Sequence, residues 1–341
     1  MIIVSSVATI IGIAISLIID WFPEQASTAS DDIDLLYDVL LIASVPIFVL
    51  VMSVALYSVF AFRAKPGDLS DGAPIHGNTR LEVIWVTIPF IMVSALAVYG
   101  WVVLDDIEAK KPNTLVVNVT AQQFAWSFDY PAEKVKTNRL VLPKDRPVEF
   151  RIKSKDVLHD FWVPEFRLKS DAVPGITTKI RLTPSRLGNY DVVCAELCGI
   201  GHSTMRQDVQ VVTRAGYDAW LAKERGSAAG EPPAGGDSAA AGKQLFTDTG
   251  CNACHTLSDA DSNATIGPEL NEVAADAARY GKQEGQTPEE YVKAAIENPD
   301  SFLVPRFDKG IMPTTYKTDL SPQEIDTLVK YLLDVGGGNG K

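Results

Sequence analysis

The sequence predicts a multidomain membrane protein: a two-helix transmembrane hairpin, a β-sandwich or barrel, and a small all-α domain. Three observations carry this. Long charge-free apolar runs are confined to the part before residue 105, and short β-branched segments fill residues 113–213. Helix start and stop signals then recur beyond a stretch rich in Gly, Ala and Pro at 226–242. At 341 residues the chain has room for two or three domains.

Residues 39–62 are 24 consecutive uncharged, mostly apolar residues, and residues 83–104 are 22 more. At about 1.5 Å rise per residue, either helix crosses a hydrocarbon core of about 30 Å. Pro46 and Pro89 lie inside the runs, which membrane helices tolerate better than soluble ones. The connection between them carries Arg63, Lys65 and Arg80, whereas Asp20, Glu24, Asp31 and Asp32 precede the first run. The positive-inside rule then puts the connection in the cytoplasm and everything after residue 105 outside. Residues 1–19 are apolar enough for a signal peptide or a third span, with a processed signal slightly favoured, although a positive n-region and a clear cleavage site are missing.

Five segments between residues 113 and 213, TLVVNVT, PVEFRIKS, TTKIRLT, NYDVV and RQDVQVV, are short, rich in β-branched and aromatic residues and bounded by turn formers. That spacing predicts a β-sandwich or barrel. GSAAGEPPAGGDSAAAG has the composition of a linker, flexible with a stiffer Pro-Pro step. TPEEYVKAAIE and SPQEIDTLVKYLLDVGGG each open with a cap residue, a proline and acids, so the last part is helical. The expected division is an N-terminal apolar segment and lead at 1–33, a hairpin at 34–106, a β-domain at 107–225, a linker at 226–241 and an all-α domain at 242–341.

The net charge of −12 argues against nucleic acid as a partner, since backbone binding needs a basic surface. The four cysteines form two tight pairs, Cys194 with Cys198 and Cys251 with Cys254. In CAELCGIGHSTM, Cys194, Cys198, His202 and Met205 fall within twelve residues, directly after a predicted strand. Thiolate, thioether and imidazole together suit copper. One cysteine with a histidine and a methionine would make a mononuclear site. Two cysteines can instead bridge two coppers if a second histidine joins them, and His159 in DVLHDFWVP is the candidate. The alternatives are zinc, which gains little from Met205, and a disulfide, which leaves the His and Met spacing unexplained.

GCNACH holds Cys251, Cys254 and His255 in the C-x-x-C-H pattern of covalent haem attachment. The two cysteines form the thioethers and His255 the proximal ligand. Of the five methionines, Met1, Met52 and Met92 lie in membrane runs and Met205 belongs to the other site, so Met312 in GIMPTTY is the expected sixth ligand, the alternative being a core methionine with His or water on the iron. A thioether ligand there raises the haem potential.

CAELCGIGHSTM is similar to the copper A motif of cytochrome c oxidase subunit II, and LEVIWVTIP, QQFAWSFDYP, DVLHDFWVP and LKSDAVPG extend that resemblance over residues 35–220. It implies a cupredoxin-like β-domain in which Cys194 and Cys198 bridge two coppers. His159 and His202 would be terminal ligands, Met205 a weak one, and Glu196 would supply its carbonyl. The Glu196 side chain would reach a magnesium or manganese ion shared with subunit I. The last domain resembles class I cytochrome c through Gly242, Phe246, Gly267-Pro268, Leu328 and Tyr331. Together these identify a fusion of the caa3 type.

The resemblance also implies that Glu82, in LEVIW, lies at the mouth of the K proton path, and that Asp171 lies near the subunit I border. Glu82 read by itself is an interfacial carboxylate, Asp171 is a surface acid, and His76 is a solvated loop residue. Where most of the family has a tryptophan that receives electrons from a docked cytochrome, this chain has Phe124, with Trp126 as the next aromatic.

The implied function is electron input to a proton-pumping haem–copper oxidase of a bacterial plasma membrane. Cytochrome c or a bc1-type complex would be the donor, subunits I and III the partners, and oxygen would be reduced in subunit I. A nitrous-oxide reductase would lack the hairpin and need more histidines, and a copper carrier has no use for a haem domain. The quinol oxidase branch lacks the copper ligands.

Overall fold

The computed structural model describes residues 2–63, 66–67, 74, 76–228 and 238–337. The connection around Lys65 and the middle of the expected linker lie outside the described residues. The chain divides into two compact units, residues 1–110 with 165–167, and residues 111–164 with 168–341.

The first unit holds α1 (Ile2–Ile18), α2 (Thr28–Ala61) and α3 (Thr79–Glu108). Helix α2 starts well before the apolar run because Ser27 caps it, its Oγ accepting the Ser30 amide, and Asp31 sits in the first turn, where the helix dipole favours an acid. Both prolines are accommodated inside their helices. Large side chains along α2 and α3, among them Phe48, Phe60, Val86 and Trp101, face outward, as a lipid-facing surface requires. Helix α1 packs along α2: Ser5 donates to Ser53 at 2.9 Å, and a β-carbon on Gly12 would come within 2.8 Å of Val45. His76 is exposed.

Residues 165–167 cluster with these helices through a polar latch. The Arg167 guanidinium grips both Asp34 oxygens at 2.7 and 3.0 Å and donates to the Pro23 carbonyl at 2.6 Å. It also lies over the Phe22 ring. Ser27 and Ser30, both buried, donate to the Phe166 and Glu165 carbonyls.

The second unit begins with a β-sandwich. One sheet has the order β3-β2-β1-β5-β8, made of Val135–Thr137, Ala125–Tyr130, Leu115–Gln122, Val148–Ser154 and Thr178–Leu182. The other has the order β4-β10-β9-β6-β7, made of Leu140–Pro143, Arg206–Val212, Gly188–Cys194, His159–Trp162 and Lys169–Ala172. Pairs β1–β5 and β4–β10 are parallel and the remaining pairs antiparallel. Alternate residues of β1 and β2 point inward, so Val117, Val119, Trp126 and Phe128 join Phe150, Ile152, Phe161 and Val209 in the core. The Tyr130 hydroxyl donates to the Val141 carbonyl and accepts its amide, pinning β2 to β4. Helix α4 (Arg214–Ala228) then lays Tyr217 and Trp220 beside Tyr130, and Arg225 pairs with Glu133 at 2.6 Å.

Next come α5 (Ser238–Asp248), α6 (Val273–Glu284), α7 (Pro288–Glu297), α8 (Tyr316–Asp319) and α9 (Pro322–Val335). Thr287 with Glu290, and Ser321 with Glu324, form reciprocal capping boxes, each followed by a proline in the first turn. Helices α5 and α9 cross closely, because a β-carbon on Gly242 would come within 2.1 Å of the Tyr331 β-carbon. The stretch expected as linker is therefore helical at both ends, through Ala228 and again from Ser238. Alanine, which is abundant there, is the strongest helix former.

Candidate metal centre and haem site

Strands β6 and β9 are neighbours, with Phe161 opposite Cys194, so His159 and Cys194 come to the same end of the sandwich. The chain leaving β9 is held there by the Ala195 amide, which donates to the Asp160 carbonyl at 3.0 Å. It loops through Cys198 and a short 3-10 turn at His202–Thr204 before β10 begins. Within this loop the two sulfurs stand 3.8 Å apart, far beyond the roughly 2.05 Å of a disulfide.

Each sulfur has its own imidazole. Cys194 Sγ is 3.9 Å from His159 Nδ1, and Cys198 Sγ is 3.7 Å from His202 Nδ1. Met205 Sδ lies 3.8 Å from Cys198 Sγ, and the Glu196 carbonyl lies 3.1 Å from Cys194 Sγ. His159, Cys194, Cys198 and Met205 are all buried. Hydrogen bonding from Cys198, helped by His159, pulls the Cys194 thiol down to about 3, and the shared proton pushes Cys198 far up. All six residues singled out in the sequence meet here, and their donor set fits soft metal ions.

Two further residues complete the setting. His159 Nε2 is 2.9 Å from Asp156 Oδ1, so this ring nitrogen carries the proton and Nδ1 is left free to face the sulfur. Burial works against the Asp156 carboxylate, but bonds from His159 and from the Gln123 and Val157 amides hold it below the usual range. Burial likewise opposes a charged His159, and Asp156 with Cys194 outweighs it. Gln123 donates its side-chain amide to the Cys198 carbonyl at 2.6 Å while its backbone amide holds Asp156 at 2.7 Å. Trp126 meets His159 edge-on, with ring centres 6.2 Å apart. Asp171 is exposed and pairs across β6–β7 with buried Asp160, whose carboxyl burial raises to about 6.

Asp156 orients His159 without belonging to the donor set. Asp156→Asn is expected to lower copper affinity by about 10–100-fold while sparing the haem, as read by copper retention against a graded chelator. Unchanged retention would make the pair merely structural.

Cys251, Cys254, His255 and Met312 line one apolar cavity of the helical domain, together with Phe246, Tyr291, Ile296, Leu328 and Leu332. Gly250, at φ 78°, turns the chain from α5 into a 3-10 turn at Cys251–Ala253. The His255 Nδ1–H donates to the Pro268 carbonyl at 2.8 Å, which leaves Nε2 as the available ring nitrogen, and burial lowers the imidazole so that it stays neutral. Gly267 makes room for that ring, since a β-carbon there would come within 2.6 Å of it. Two thiols, a neutral imidazole and a thioether around an apolar cavity fit a covalently attached haem. Glu82 belongs to the membrane unit, where its Oε1 accepts the Asn78 amide at 3.2 Å and so helps cap α3.

Descriptions of three protein families match the chain: "Cytochrome C oxidase subunit II, transmembrane domain" over residues 9–103, "Cytochrome C oxidase subunit II, periplasmic domain" over 133–212 and "Cytochrome c" over 239–336. A cytochrome c oxidase subunit 2 of Alkalihalophilus pseudofirmus is 33% identical over 304 residues, covering 86% of this chain and 85% of that protein. The chain belongs to the cytochrome c oxidase subunit II family. A second cytochrome c oxidase subunit 2, from Synechocystis, is 30% identical over 272 residues, with 64% of this chain and 82% of that protein covered. A probable quinol oxidase subunit 2 of Staphylococcus saprophyticus is 35% identical over 185 residues, about half of each chain. As a cytochrome c oxidase subunit II of the fused caa3 type, the chain is a membrane-bound electron-transfer component of a haem–copper oxidase, and subunit I is its partner. The β-domain matches the periplasmic domain of cytochrome c oxidase subunit II, and the helical domain is a cytochrome c domain.

Proposed function

We propose that the two sites hold a dinuclear copper A centre and a covalent haem c, and that electrons from an external donor leave through this chain to subunit I. The observation that carries the copper assignment is the pairing of each cysteine sulfur with its own imidazole, since a mononuclear site would need only one such pair. Cys194, Cys198, His159, His202 and Met205, with the Glu196 carbonyl, would hold the copper. Cys251 and Cys254 would attach the haem, and His255 and Met312 would ligate its iron. When bound, the two groups each supply a one-electron redox site.

The protein's contribution is rigidity. Strands β6, β9 and β10 fix the ends of the ligand loop, and Asp156 and Gln123 fix its middle, so little geometry can change on reduction. Exposed Leu197 and Ile200, which flank Cys198, support burial of this end against another subunit. The exposed Glu196 side chain suits a magnesium or manganese ion shared with subunit I. The charge of the flanking segments supports a multi-pass bacterial plasma-membrane topology with both domains outside the cell. Cytochrome c or a bc1-type complex is the proposed donor, subunit III a further neighbour, and Glu82 a proton-path carboxylate. The proposed division keeps a hairpin, a copper domain, a short linker and a haem domain.

Metal and haem analysis of the purified full-length chain tests this. Two coppers per covalent haem are expected, with a mixed-valence copper signal. One copper per haem would reduce the first site to a mononuclear centre.

A further inference from the structure

Phe124, in the turn between β1 and β2, faces two sites and is 6% exposed. One side of its ring lies on the loop between Cys198 and His202. A β-carbon on Gly201 would come within 2.4 Å of the ring, and one on Gly199 within 3.1 Å. Only glycine leaves room for the ring there, and Gly199 is also in the left-handed region at φ 136°. The neighbouring Gln123 ties the same loop through the Cys198 carbonyl.

Phe124 also lines the cavity that holds Cys251, Cys254 and His255, and its carbonyl lies 3.6 Å from where a β-carbon on Gly250 would stand. The chain is seated tightly beside it, since a β-carbon on Gly250 would come within 2.9 Å of the Ala125 β-carbon. Polar contacts flank this seat: Lys155 pairs with Asp319 at 3.1 Å, and the Asn138 side-chain amide donates to the Asp248 carbonyl.

We propose that Phe124 is a positioning residue for both sites: its ring fixes the copper-ligand loop, and the residue closes the haem cavity on the Cys251 side. The inference rests on the copper and haem reading above. The covered side is the exit toward the copper loop: one electron crosses it, no bond forms or breaks and no proton moves. An external donor must therefore approach the haem domain elsewhere.

The test uses the full-length chain loaded with copper and haem, and the variants Phe124→Ala and Phe124→Leu. Amide exchange is followed in residues 198–202 and 249–255, and one-electron re-equilibration is followed after photochemical injection into the haem. Phe124→Ala should speed exchange in both windows by about tenfold and slow re-equilibration by a similar factor, with copper and haem contents unchanged. Phe124→Leu should fall between, and it carries the test if the alanine variant does not fold. Faster exchange in the copper loop alone, or an unchanged transfer rate, overturns the proposal. A wild-type chain without two coppers would instead overturn the underlying site assignment.

Discussion

Cys198→Ser is expected to give a chain that retains its haem but no longer holds a pair of coppers. The Cys198 sulfur lies within 3.8 Å of Cys194, His202 and Met205 atoms. A serine hydroxyl is harder, shorter and protonated at neutral pH, so it cannot bridge soft metal ions. Removing a direct donor should exceed the 10–100-fold cost typical of losing a supporting residue, so affinity should fall by more than about 100-fold. Cys194→Ser should behave alike. The haem is untouched because its attachment needs only Cys251, Cys254 and His255. Copper analysis with electron paramagnetic resonance reads the result, and two coppers retained in both variants would overturn the bridging role.

A chain ending at Ala228 should fold its copper domain yet be reduced poorly by an external cytochrome. The sandwich core, with Val117, Phe128, Phe150, Phe161 and Val209, comes wholly from residues before that point. Helix α4 is held to it by Arg225 and Glu133. The loss is that of a tethered donor. A short linker gives an effective concentration on the order of millimolar, so with a micromolar external donor the rate should drop by roughly 1,000-fold. Phe124→Trp in the shortened chain should recover part of this, because the seat for residues 248–250 is then vacant and an indole has room. Oxygen uptake with copper content verified measures the effect. Full turnover by the shortened oxidase would make the haem domain an accessory.

Much of this was legible in the sequence because it depends on local pattern. A charge-free run needs no context to be read as a membrane helix, and CAELCGIGHSTM and GCNACH carry nearly all their proposed ligands within one loop each. The five strands read from alternation correspond to β1, β5, β8, β9 and β10. Strand β4 escaped that reading because LVLP is short and shows no apolar alternation. Asp156 was passed over for a different reason. In DVLH it looks like a loop acid, and its role arises only because the Gln123 amide, 33 positions away, turns it toward His159. Phe124 stood out merely as a departure from a tryptophan, since the glycines that receive its ring lie 75 and more positions further along. The early start of α2 was foreshadowed by Ser27 and Asp31, but polar residues ahead of an apolar run look the same in an unstructured lead.

The latch between Asp34 and Arg167 has a consequence for biogenesis. Its two halves are 133 positions apart. At usual translation rates of about 5–20 residues per second, Arg167 leaves the ribosome roughly ten seconds after Asp34. During that interval the acidic start of α2 must wait at the water boundary with Ser27 and Ser30 still hydrated. On the proposed topology, the latch can close only once residues 165–167 have been exported. On that topology, a closed latch reports that export of residues 165–167 has succeeded.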